Sequence, residues 1–117
     1  MLKEVWEPKM KITQTVLEIN ESNHDEFLKN NFSVLNFFSE WQMNCLMALP
    51  VIESVAEEFF GKIFFGNVNV DDCETLAKRY GVEKVPCVIF FKNGEVIERI
   101  EKFFSEEFLR EKICCLM

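Results

Sequence analysis

Val34-Leu35-Asn36-Phe37-Phe38-Ser39-Glu40-Trp41-Gln42-Met43-Asn44-Cys45-Leu46-Met47-Ala48-Leu49-Pro50 joins two patterns. Its first five residues form an almost unbroken apolar run, the pattern of a strand buried on both faces. Beyond Pro50, the residues Ile52, Val55, Ala56, Phe59 and Phe60 recur at spacings that put them on one face of a helix. Pro50 falls inside that helical pattern and should kink it, because proline lacks the N–H that the preceding turn needs. Gly61 should end the helix by accepting a left-handed backbone.

Working outward from this stretch, the β-branched content of Lys11 to Ile19 predicts a strand. Ser22, three residues before Asp25, predicts a capped helix start, with Phe27 and Leu28 facing inward and the helix fading near Asn30-Asn31. On the other side, Ile63-Phe64-Phe65 to Val70 reads as a buried strand. Asp71 or Asp72 can cap a short helix that carries Leu76 and Ala77 inward and stops at Gly81. Val88-Ile89-Phe90-Phe91 is a strand, Asn93-Gly94 a hairpin turn, and Glu95 to Ile100 the return strand. Ser105 can cap a last helix that buries Leu109, Ile113 and Leu116. The order β-α-β-α-β-α-β-β-α predicts an α/β domain, a mixed sheet with helices on both faces, over residues 11–117. Residues 1–10 read as an N-terminal extension, with Trp6 and Pro8 packing onto the domain.

The chain has 117 residues, 49% of them hydrophobic and 28% charged, enough for one globular domain. Its formal net charge of −7 argues against nucleic acid and anionic membrane surfaces as partners, since both call for a basic patch. No apolar run approaches the roughly 20 residues that span a bilayer. The opening Met1-Leu2-Lys3-Glu4-Val5-Trp6 is not followed by the apolar stretch of a secretory signal, so a cytoplasmic protein is expected. Five cysteines, an odd number, do not suggest a disulfide framework. No C-x-x-C spacing occurs, so a zinc site has no support, and neither a metal nor a cofactor is expected. A thiol-ligated metal or iron–sulfur site shared between subunits would rest on the cysteine count alone.

Several segments together carry a family resemblance. They are Asn36-Phe37-Phe38-Ser39-Glu40-Trp41, Cys45-Leu46-Met47-Ala48-Leu49-Pro50, Val68-Asn69-Val70-Asp71, Tyr80-Gly81-Val82-Glu83-Lys84-Val85-Pro86 and Phe91-Lys92-Asn93-Gly94-Glu95. In this order and at this spacing, from about residue 12 to the C-terminus, the chain resembles the thioredoxin family, which implies the thioredoxin fold. The resemblance also implies that Pro86 follows a cis peptide bond and helps dock substrate backbone beside the redox centre. The family's centre is W-C-x-x-C, whereas this chain has Trp41-Gln42-Met43-Asn44-Cys45. Gln42 therefore stands where the attacking cysteine would be and cannot form a thiolate. Cys45 matches the second, resolving cysteine. The family's buried aspartate is matched by Asn36 and the lysine beside it by Asn67, so a buried charged pair is replaced by two neutral amides. Their joint loss avoids leaving one charge buried without the other. A glycine usual late in the last strand is also absent, with Glu101-Lys102 in that region.

Each candidate has a plain structural reading beside the chemical one. Cys45 is either a monothiol that forms mixed disulfides or a packed remnant. Cys87, directly after Pro86, could pair with Cys45 only if their Cα atoms come within about 7 Å, and otherwise is a core residue. Cys73 reads as a surface or half-buried thiol and His24, the only histidine, as a surface residue. Cys114-Cys115-Leu116-Met117 fits a prenylation pattern, but Ile113 and Leu116 also complete a helix face, which is the reading preferred. The expected function is thus a thioredoxin-like protein of thiol redox biology that lacks the nucleophilic cysteine, is without ordinary dithiol–disulfide reductase activity and acts as a binding module or monothiol. It would bind a protein partner through a groove of Trp41, Gln42, Val85 and Pro86. The alternative is an active thiol-disulfide oxidoreductase using Cys45, alone or with Cys87.

Overall fold

A computed structural model describes residues 15–117. Among these residues five strands, β1 (Val16–Glu18), β2 (Phe32–Phe38), β3 (Phe64–Asn69), β4 (Cys87–Lys92) and β5 (Glu95–Ile100), form one sheet in the order β1-β3-β2-β4-β5. The first three run parallel, while β4 is antiparallel to β2 and β5 antiparallel to β4. Four helices, α1 (His24–Phe27), α2 (Met43–Glu58), α3 (Glu74–Arg79) and α4 (Glu106–Leu116), alternate with them in the expected order.

Strand alternation divides the core in two. Val34 of β2, Phe65 of β3 and Val88 and Phe90 of β4 pack with Ala48, Ile52, Val55 and Ala56 of α2 and with Leu109 and Ile113 of α4. On the other face, Leu35, Phe37, Val68, Cys87, Ile89 and Phe91 pack with Phe27 of α1 and Leu76 of α3. The sheet is therefore mixed and covered by helices on both faces, the architecture the sequence pattern called for.

Local signals account for several boundaries. Asn93 (φ 53°) and Gly94 (φ 83°) both take the left-handed backbone that a tight two-residue hairpin turn requires. Ser105 caps α4, its hydroxyl accepting the Phe108 N–H at 3.0 Å, with Glu106 and Glu107 in the first turn. Gly66 in β3 is forced by packing: a Cβ there would lie 2.5 Å from Cγ1 of Ile19 and 3.1 Å from Cδ2 of Leu35.

Other expectations need correction. Ser22 does not cap α1; the Asn20 side chain instead accepts the Ser22 and Asn23 N–H groups, and the helix is a single turn from His24 that ends at Phe27. Neither Asp71 nor Asp72 caps α3, whose N-cap is Cys73 without a side-chain bond. Phe60 is exposed, because α2 has ended at Glu58 and the chain no longer follows the helical face. His24 is buried: Tyr80, 56 residues away, covers it and meets its Nε2, while Nδ1 contacts Asp25 at 3.0 Å. Cys73 is buried too, with its thiol turned toward the Ile19 carbonyl at 3.9 Å. The predicted first strand is seen only as Val16–Glu18; its residues 11–14 and the predicted extension 1–10 lie outside the described residues.

Candidate functional site

The carboxyl ends of the parallel strands gather the candidate residues at one edge of the sheet, the usual place for sites in α/β folds. β2 ends at Phe38 and passes through Ser39-Glu40-Trp41 into α2, whose N-cap is Gln42. β4 runs the opposite way, so it begins at this edge. Since Phe37 pairs with Cys87, the register carried one step on sets Pro86 beside Phe38. The Val85–Pro86 peptide bond is cis, Pro86 is buried and Val85 is half-buried. The loop that carries Trp41 and Gln42 and the segment Val85-Pro86 therefore lie at the same edge of the sheet.

A polar web fixes the loop that carries Trp41. Ser39 Oγ donates to Asp71 Oδ2 at 2.8 Å and accepts the Trp41 N–H at 3.2 Å. Asp71 is itself held by its N–H donating to Asn69 Oδ1 at 2.9 Å. With its backbone tied down, Trp41 presents its indole to solvent, 85% exposed. Sequence reading did not single out Ser39, because a serine after a strand is a common residue and its partner lies 32 positions away.

Gln42 has an extended backbone and makes no side-chain capping bond, while its carbonyl accepts the Cys45 and Leu46 N–H groups. Cys45 lies one turn before Ala48 on the buried face of α2 and is fully buried. That burial, the largest cause, raises its thiol pKa above the ordinary value. The negative charge of Asp71 pushes the same way, and a backbone hydrogen bond at Ser39 opposes them. Cys87 is also buried, and burial raises its pKa against the nearby Arg99, whose Nη2 lies 3.7 Å from the sulfur. No disulfide joins the two thiols. Cys87 belongs to the α1/α3 core, whereas α2 packs on the opposite face of the sheet. All five cysteines are free thiols.

Asn36 and Asn67 occupy paired positions in β2 and β3 and share a hydrogen bond of 3.0 Å. Asn36 alternates with Val34 and so points to the α2 face. Among the described residues there is no group of three or more His, Cys, Asp or Glu placed to hold a metal ion. Among them, too, no helix is long and apolar enough to cross a membrane. Sequence reading also passed over the exposed side chains of Met43, Leu46 and Met47, which extend the apolar surface from Trp41 along the first turns of α2.

Comparison with known proteins agrees with this geometry. The Thioredoxin family model matches residues 15–114. A thioredoxin of Chlamydia caviae is 34% identical over 82 residues, covering 70% of this chain and 79% of that protein. A thioredoxin of Chlamydia pneumoniae is 32% identical over 95 residues, covering 81% and 92%. Among solved structures, a mutant thioredoxin from Halobacterium salinarum superposes with a TM-score of 0.79 at 26% identity, covering 88% of this chain and 92% of that one. The chain belongs to the thioredoxin family.

Proposed function

We propose that this protein is a thioredoxin-like binding module that holds an extended segment of a protein partner in the groove of Trp41, Gln42, Val85 and Pro86, without dithiol–disulfide exchange. Gln42 at the N-cap of α2 carries the reading. That is the position at which a helix N-terminus would stabilise a thiolate, and an amide side chain offers neither nucleophile nor charge. The buried Cys45, its pKa raised, is a poor first nucleophile. Asn36 and Asn67 supply no acid or base near neutral pH. The tethered, exposed Trp41 offers an aromatic platform for a bound segment. Five free thiols suit a reducing compartment such as the cytoplasm.

The test is catalysed reduction of insulin disulfides by dithiothreitol. The protein is expected to leave the uncatalysed rate unchanged. Gln42→Cys, which restores the two-cysteine spacing, is expected to accelerate it. Turnover by the unaltered protein would refute the binding-module reading and favour an oxidoreductase acting through Cys45.

A further inference from the structure

Near the start of α2 and of β4, the sulfur atoms are sorted by exposure. The thiols of Cys45 and Cys87 are wholly buried. Two thioethers stand outside: Met43 is 68% exposed and Met47 53%. They sit four residues apart on α2, a spacing that puts both on one helix face. With Trp41 and the exposed Leu46 they make an apolar surface over the start of α2. A thiol must ionise before it attacks an oxidant, but a thioether need not. Burial holds Cys45 protonated, so it is disadvantaged twice, by access and by charge.

We propose that Met43 and Met47 form a paired oxidation site, at which a hydroperoxide turns the apolar surface at the start of α2 polar. The consequence, release of a bound partner segment, rests on the binding reading above. In each step a lone pair on the thioether sulfur attacks one peroxide oxygen. A sulfur–oxygen bond forms as the oxygen–oxygen bond breaks, and the leaving oxygen departs, protonated, as water or an alcohol. Sulfur loses two electrons and the peroxide gains them, and no thiol is consumed. The product sulfoxides place two polar S–O groups in a surface whose docking value is its apolar, adaptable character.

The test uses the full chain carrying Cys114→Ser and Cys115→Ser, which removes the exposed thiols. It is treated with hydrogen peroxide between about pH 6 and pH 9, a range over which an ordinary thiol becomes largely ionised. Peptide mapping should show one added oxygen on Met43 and on Met47, at rates close to that of N-acetylmethionine and independent of pH. Cys45 should stay unmodified. Oxidation of Cys45 ahead of both thioethers, or protection of both, would overturn the assignment. Binding of the apolar dye bis-ANS should fall after this treatment. It should persist in the variant that also carries Met43→Leu and Met47→Leu, changes that conserve volume and apolarity. Dye binding that is unchanged despite mapped sulfoxides would overturn the switch. Neither readout needs a partner. A chain that passes both, yet binds no partner segment, would refute the groove reading and leave the oxidation site standing.

Discussion

The side-chain amide of Asn36 donates to Oδ1 of Asn67 at 3.0 Å across the β2–β3 ladder, on the sheet face that α2 covers. Asn36 is 1% exposed, and among the described residues its own Oδ1 has no hydrogen-bond partner. A neutral amide tolerates that position, whereas a carboxylate there would lose its hydration without gaining a cation.

Asn36→Asp therefore separates these costs by pH. The new carboxyl would titrate above its unfolded value of about 3.9, so the folded form would keep its proton longer than the unfolded one. The variant should be near the parent in stability below about pH 4 and lose about 1–3 kcal/mol by neutral pH. Urea unfolding at both pH values checks this. Equal losses at both would mean that shape rather than charge governs the site.

The buried thiols give a second pH prediction. Cys45, Cys73 and Cys87 all have raised pKa values, in each case chiefly through burial. Their folded values lie above the unfolded ones, so the stability they add is present below the ordinary thiol pKa and disappears as pH climbs through the folded values. Unfolding by urea should require less denaturant above about pH 9 than at neutrality. At neutral pH, iodoacetamide should label Cys114 and Cys115 well before Cys45, as read by peptide mapping. Prompt labelling of Cys45 would contradict its burial.

Gly66→Ala tests the packing of β3. Its new methyl would press on Ile19 at 2.5 Å and on Leu35 at 3.1 Å, inside a core with little room. Overpacking of this kind costs about 1–3 kcal/mol, readable as a lower urea midpoint with an unchanged slope. A neutral result would show that Ile19 yields freely.

Tyr80→Phe removes the phenol that meets Nε2 of the buried His24 while keeping the ring contacts with Phe37 and Phe91. An unpaired buried polar atom costs about 1–3 kcal/mol, and the variant should lose stability on that scale in urea unfolding. Full retention would mean that the hydroxyl contributes no net bond.

What the sequence made legible follows the range of each signal. Val34 to Phe38, Asn93-Gly94 and Ser105 state their roles within a few residues, through an apolar run, a left-handed turn and a helix cap. These signals, together with the spaced family segments, were enough for the fold. The burial of His24 is not legible locally, because the residue that meets it is Tyr80, which no local pattern connects to it. Local sequence offers Asp71 or Asp72 as a cap, whereas the partner of Asp71, Ser39, comes from another loop. At the site, Gln42, Cys45 and Pro86 stand out through the family resemblance rather than through any local pattern. That Cys87 faces away from α2 could not, since it depends on which face the first residue of β4 takes after Pro86.

The most direct measurement is equilibration of the whole chain in a graded thiol/disulfide buffer, read by intact mass and peptide mapping. With Cys45 buried on α2 and Cys87 on the far side of the sheet, no loss of two hydrogens should map to this pair at any ratio. An internal Cys45–Cys87 disulfide appearing across the series would contradict the account and restore a working redox centre.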